Sequence, residues 1–209
     1  MPTTITRIQK TRLGRFSLYG EEGFLFSLDS ETYFSCGVEE GDTLTDNDLA
    51  ALREKSDARK AKDKALQYLS LRLYGERELY DKLCLKFDGP TSAAAVAEMV
   101  ELDYVNDDRY AETRAHGLLM ARKSRRAAAQ NLRQKGLNSQ QIEQALETVY
   151  APDENGESPE LEAAAALVAS RYRKKLADGR RDLVVAALQR RGFAYAVIKE
   201  AIRRTEEEL

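Results

Sequence analysis

NDDRYAETRAHGLLMARKSRRAAAQNLRQKGLNSQQIEQALETVY, residues Asn106 to Tyr150, carries its own punctuation for three short helices. Asn106 is a good N-cap, and Asp107 and Asp108 follow in a first turn, where the helix dipole favours negative charge. The first helix is predicted to run to about Arg122. Ser124 can cap a second helix ending at Lys135, because Gly136 supplies the residue type that enters the left-handed region without penalty at C′. Leu137, at C″, would fold back onto Leu132. Ser139 is predicted to cap the third helix, whose Ile142, Ala145, Leu146 and Val149 keep the spacing of one buried stripe.

The pattern recurs. LRQKGLNSQQIEQAL (Leu132 to Leu146) aligns without gaps with LQRRGFAYAVIKEAI (Leu188 to Ile202), 56 residues on, so that Gly136 matches Gly192 and Ile142 matches Ile198. A weaker copy lies upstream, in LYDKLCLKFDGPTSAAAVAEMVELDYV (Leu79 to Val105), with Leu83, Val96, Met99 and Val100 on the stripe and a turn lengthened to Phe87–Thr91. The reading is all-α: three tandem three-helix repeats, a kind that normally stacks into an elongated, curved array. Boundaries are set at residues 46–105, 106–150 and 160–209, with an acidic, proline-flanked stretch at 151–159. That stretch predicts either some freedom of the last repeat or an ordered surface loop.

The first 45 residues have another period. Phe16 and Leu18 alternate with Arg15 and Ser17, while Phe24, Phe26 and Leu28 alternate with Leu25 and Ser27 across Gly20-Glu21-Glu22-Gly23, a hairpin signal. Ile5 and Ile8 suggest an edge strand, and Asp29 to Cys36 a short helix closed by Gly37. So small a sheet must dock on the helices or on a partner. Thr45 with Asp48 reads as a capping box opening a helix that continues towards Tyr74. The charged stretch EKSDARKAKDK holds no Gly or Pro, which favours continuous helix over a flexible linker. Ala65, Leu66, Leu69 and Leu73 form the stripe before Gly75, and a further helix spans Glu76 to Lys86.

Net charge is −2, but its distribution is uneven. Met1 to Asp57 carries six basic residues against eleven acidic ones. Arg109 to Lys135 carries Arg109, Arg114, Arg122, Lys123, Arg125, Arg126, Arg133 and Lys135 against Glu112 alone. Arg171 to Arg191 carries Arg171, Arg173, Lys174, Lys175, Arg180, Arg181, Arg190 and Arg191 against Asp178 and Asp182. Both clusters fall at the junction of the first and second helices of a repeat. They are either solvated helix ends complementing the dipole or a surface for a polyanion or acidic protein. Repetition at one structural place favours the second, and the crowding from Arg122 to Arg126, beyond what Glu112 can neutralise, predicts that this charge finds a partner elsewhere.

Nothing in the chain has the pattern of catalysis. His116 faces away from the Tyr110/Ala111 side of its helix, the Asp107/Asp108 pair is explained by capping, and no phosphate loop, zinc spacing or nucleophile motif occurs. No cofactor, metal or small-molecule site is expected. Cys36 and Cys84 stand far apart and read as packing residues, and with no signal peptide or long apolar run the expected setting is the cytoplasm.

KALQYLSLRLYGERELYDKL (Lys64 to Leu83), then LDYVNDDRYA (Leu102 to Ala111), then LRQKGLNSQQIEQAL together resemble the RecX family of bacterial recombinase regulators. Asp103 departs from the pattern, standing where a Gly is usual before Tyr104, as does Phe87 where a Gly often follows the Lys; both bear on loop geometry. The resemblance implies tandem three-helix repeats without catalysis, binding to the filament of the RecA recombinase on single-stranded DNA, and modulation of recombination, repair and the SOS response. The basic junctions are then the expected contact surface: Arg114, Arg122, Lys123, Arg125, Arg126, Arg133 and Lys135 in the middle repeat, with Arg173, Lys174, Lys175, Arg180, Arg181, Arg190 and Arg191 in the last. DNA is a further possible contact of these patches. A stand-alone DNA-binding helical protein and a helical scaffold are the competing readings.

Overall fold

The computed structural model describes residues 2–207. Five strands come early: β1 (Thr3–Thr4), β2 (Arg7–Lys10), β3 (Phe16–Gly20), β4 (Gly23–Leu28) and β5 (Thr43–Leu44). The order β2-β3-β4 makes an antiparallel sheet, while β1 pairs with β5 in a second, two-stranded one. The hairpin turns at Gly20–Gly23 as the sequence requires. Its inward face is the one alternation predicts except at Phe24. A bulge makes Leu18 pair with Phe26 but Tyr19 pair with Phe24, so Leu25 is the extra residue. Phe26 and Leu28 are buried, whereas Phe24, expected beside them, is turned out and 60% exposed. Helix α1 (Ser30–Cys36) has Asp29 as N-cap, accepting from Thr32 N, and closes on Gly37 at φ 64°.

Thr45 and Asp48 form the full capping box of α2 (Asp46–Leu69), an unbroken helix of 24 residues. It ends at Leu69, short of Tyr74. The sheet docks on it: Leu52 joins Ile5, Leu18, Phe26, Leu28 and Val38 in one core, and Ser56 Oγ donates to Ser27 O at 2.9 Å. Helix α3 (Glu76–Leu83) stops before Lys86, and α4 (Gly89–Glu101) is capped by Asp88 with Pro90 in its first turn. Leu83, Val96 and Met99 are buried as predicted, but Val100 is 37% exposed. Cys84 is exposed rather than packed, because it lies beyond the last buried turn of α3; Cys36 is half-buried.

The middle repeat comprises α5 (Asp107–Met120), α6 (Arg125–Gln134) and α7 (Ser139–Val149). Asn106 and Ser124 cap α5 and α6 through Arg109 N and Ala127 N. The cap of α7 is Asn138, not Ser139: its side chain accepts from Gln141 N, and Gln141 returns the bond, the longer amide completing a box that a serine one position on could not. Helix α5 ends two residues before Arg122, which itself sits at φ 55°. Gly136 closes α6 in a Schellman turn at φ 90°, with Leu137 N on Leu132 O and Gly136 N on Arg133 O. Gly192 repeats this at φ 89°, with Phe193 N on Leu188 O.

The last repeat runs as α8 (Pro159–Leu167), a π-helical turn (Val168–Tyr172), α9 (Arg173–Ala177), α10 (Arg181–Arg190) and α11 (Tyr195–Glu207). By its contacts the chain divides into two compact units, Met1–Leu73 with Leu79–Tyr104, and Tyr74–Glu78 with Val105–Leu209. The middle and last repeats therefore share one unit, each around its own core: Leu132, Ile142 and Leu146 in one, Leu188, Ile198 and Ile202 in the other. The stretch before α8 is an ordered loop. Asp153 accepts from Asn155 N and Glu157 N, and Glu157 pairs with Arg204 at 3.1 Å.

Candidate interaction surface

Within the second unit one joint is built twice. The first turn of a repeat's second helix leaves backbone N–H groups unsatisfied, and the following repeat supplies the acceptor. Glu76 N, at the start of α3, donates to Asp107 Oδ1 at 2.9 Å; Arg125 N, at the start of α6, donates to Glu160 Oε1 at 3.0 Å. Burial raises both carboxyl pKa values, with Asp108 adding to the rise at Asp107, although the accepted N–H pulls each back down. The turn glycines complete the joint. A Cβ on Gly136 would stand 2.6 Å from Arg77 Cβ, and one on Gly192 would stand 2.8 Å from Ser124 Oγ. Arg77 follows Glu76 as Ser124 precedes Arg125, so both glycines press on the same turn of the neighbouring repeat. Ser124 is fully buried and donates to Arg191 O at 2.8 Å. Tyr150 donates to Lys123 O at 3.0 Å, and burial beside Glu160 pushes its hydroxyl pKa up to about 12.

These joints redistribute the cations. Lys135 meets the largely buried Glu78 carboxylate at 2.5 Å, which also accepts from Tyr110 OH at 3.2 Å. Arg114 donates to Asn131 Oδ1 at 2.7 Å. Arg122 reaches across the joint to Ala166 O at 3.1 Å and Ser170 Oγ at 2.8 Å, and Arg125 pairs with Glu143. Arg122 and Arg125 thus find partners well away from Glu112 in sequence, within the fold. Arg181 pairs with Glu206 at 3.0 Å, and Arg191 is half-buried. Arg126 and Arg133 remain exposed on one face of α6, where with Ala129, Gln130 and Gln134 they line an open depression of about 710 Å³. Lys123, Arg173, Lys174, Lys175, Arg180 and Arg190 are exposed as well, Lys175 lying 5.6 Å over the Tyr172 ring. His116 points to solvent. Among the described residues no cluster of His, Cys, Asp or Glu could hold a metal ion, and no helix is long and apolar enough to cross a membrane.

Two family models match this chain: "RecX, first three-helix domain" over residues 61–99 and "RecX, second three-helix domain" over residues 106–146. A regulatory protein RecX of Caldanaerobacter subterraneus is 32% identical over 70% of this chain and 75% of its own length. Another, of Levilactobacillus brevis, is 30% identical over 91% of this chain and 71% of its own. The chain belongs to the RecX family of regulatory proteins. Two RecX crystal structures share its fold. One superposes with a TM-score of 0.69 at 22% identity, covering 95% of this chain and 99% of its own; the other, from Lactobacillus salivarius, superposes with 0.59 at 25%, covering 72% and 97%.

RecX membership leaves Asp103, at which the resemblance implied a glycine, to be explained by its geometry. It closes α4 at φ 55° with Tyr104 N on Met99 O, a glycine's geometry carried by a residue type that tolerates it. What sequence reasoning missed in this RecX chain is the double role of the first-turn acids. Asp107 and Glu160 look like dipole partners of their own helices, and each caps a helix of the preceding repeat. The available signal was that each opens a repeat some 30 to 35 residues after the helix it serves.

Proposed function

We propose that this chain is a non-catalytic regulator of the RecA recombinase that binds the recombinase filament on single-stranded DNA through exposed cations of its middle and last repeats. The observation that carries the reading is that both repeats leave exposed cations about their second helix, Lys123, Arg126 and Arg133 around α6 and Lys174, Lys175, Arg180 and Arg190 around α10, although not at residue-by-residue equivalent positions. Cationic surfaces on successive repeats suit an extended, anionic target. Arg114, Arg122, Arg125, Lys135, Arg181 and Arg191 act mainly by holding that arrangement. Regulation requires only that the chain bind one state of the filament better than another. In this reading the protein works in the cytoplasm, in recombination, DNA repair and the SOS response, with DNA phosphate as a further contact of the same cations.

The test is ATP hydrolysis by the cognate recombinase on single-stranded DNA with increasing amounts of the protein. Reversing Arg126 and Arg133 to Glu should leave the melting temperature nearly unchanged, since both side chains are exposed, and should weaken the effect strongly at low salt and less at high salt. Hydrolysis that no concentration of the parent protein alters would overturn the reading. Regulation by the reversed variant equal to the parent's would move the contact surface elsewhere.

A further inference from the structure

The open face of the N-terminal sheet carries a feature that neither the repeats nor their cations explain. Antiparallel sheets commonly bury one face and leave the other to water, where polar side chains are expected. Here the buried face holds Leu18, Phe26 and Leu28, and the other holds an aligned row across three strands: Arg7 pairs with Tyr19, and Tyr19 pairs with Phe24. The Arg7 guanidinium lies 4.1 Å from the Tyr19 ring centroid, and Phe24 meets Tyr19 edge to face at 5.7 Å. The bulge alone puts Phe24 in this row. In regular pairing without a bulge, Leu25 would stand opposite Tyr19 and Phe24 would share the buried face of Phe26. A bulge that turns an aromatic ring from core to solvent re-aims a side chain, a recurrent use of bulges near functional sites. Shielding by Arg7 accounts for Tyr19, which is half-buried; it leaves Phe24 60% exposed.

The row itself carries a cation, Arg7, and no acid. From Pro2 to Gly20 the chain has Arg7, Lys10, Arg12 and Arg15 and no acid. Arg15 closes one end of the face through Ser27 O at 2.9 Å, and exposed Gln9 lies beside it on β2. Acids flank the row at its two ends: Glu21 and Glu22 in the hairpin turn beside Phe24, and Glu40, which accepts from Ile8 N at the outer edge of β2. A cation set beside an exposed aromatic ring on a sheet face is a combination that binds single-stranded nucleic acid, since every base has a face to stack and every linkage a phosphate to pair. An acidic protein surface would satisfy the arginines but has no need of an exposed ring set beside a cation.

We propose that the open face of the N-terminal sheet binds single-stranded nucleic acid, with a base stacked on Phe24 and the backbone phosphate held by Arg7. The site is separate from the helical cations, so it stands whether or not those contact the recombinase. Fluorescence anisotropy of the full chain with labelled oligothymidylate, with an abasic strand of equal length and with polyglutamate tests it. Phe24→Ala should weaken oligothymidylate binding about fivefold or more, the loss of one stacked base, and leave abasic-strand binding unchanged. Phe24→Tyr should restore it. Arg7→Ala should weaken both strands, and Phe34→Ala, which removes a ring 73% exposed in a different aromatic cluster of the same unit, should weaken neither. Reversal of Arg126 and Arg133 should leave the ratio between the two strands unchanged, so a failure of the helical patches is distinguishable. Equal affinity of the parent for both strands, or a Phe24→Ala variant that binds oligothymidylate as the parent does, would overturn the proposal. So would Phe24-dependent binding of polyglutamate, which would assign the face to acidic protein.

Discussion

Gly136 and Gly192 show how much a single hydrogen atom decides. Each needs a left-handed backbone, which disfavours any side chain by about 1 kcal/mol, and each also lacks room for a Cβ. Those are separate terms, and Gly179 separates them: it closes α9 at φ 73° with nothing within 4 Å of its missing Cβ. Gly179→Ala should therefore cost about 1 kcal/mol, the conformational part only. Gly136→Ala should cost about 2–4 kcal/mol, because Arg77 Cβ cannot withdraw without moving its backbone, and Gly192→Ala should fall between, because the Ser124 hydroxyl can rotate at the expense of its bond to Arg191 O. Urea denaturation of the three variants ranks them; equal losses would mean that the close approach has no energetic weight.

At the scale of the element, the borrowed caps set a pH dependence. Glu160 must be near a buried joint to reach Arg125 N, and burial raises its pKa above the unfolded value. A carboxyl raised on folding binds its proton more tightly in the native state, so stability falls as pH rises from the ordinary Glu range through the raised value. Glu160→Gln keeps an oxygen to accept the N–H and removes the desolvated charge. Its stability relative to the parent should accordingly be greatest at neutral pH and shrink on acidification toward the ordinary Glu pKa. Glu160→Ala should instead lose about 1 kcal/mol or more at any of these pH values, since the N–H is left without its acceptor. Thermal unfolding across pH 4 to 8 reads both effects, and a Gln variant that tracks the parent throughout would show the Glu160 charge to be solvated.

At the scale of the molecule, the joints decide what unfolds with what. The middle and last repeats each have a core, and repeats that touch only at thin interfaces can open one at a time. The interface here carries a backbone cap from Glu160, the Ser124–Arg191 bond and the Arg122 bridge to Ala166 and Ser170. Amides around Leu132 and Ile142 should therefore lose hydrogen-exchange protection at the same denaturant concentration as those around Leu188 and Ile198. Combining Arg122→Ala with Glu160→Ala should split the two transitions, the last repeat opening first. Separate transitions in the parent would show instead that the loop before α8 acts as a hinge.

Local chemistry was enough to write down the repeat. Cap residues, the Schellman glycines and the spacing of Ile142, Ala145 and Leu146 act within a turn or two of the chain, so Asn106, Ser124, Gly136 and Gly192 could be assigned their conformations, and the family its motifs, from the order of residues alone. Where a local rule had a near-equal competitor one position away, as at Asn138 and Ser139, Asn138 won because its N3 residue is Gln141, which can complete the box, while that of Ser139 would be Ile142. The chain could not announce long-range partners. That Phe24 faces solvent depends on one unpaired residue in a strand, that Arg122 and Arg125 are occupied depends on groups 44 and 18 residues away, and that Asp107 and Glu160 cap other helices depends on how repeats stack. Charge counted along a sequence has no distance in it; only the packed structure decides which cations are spent inside and which are left for a partner.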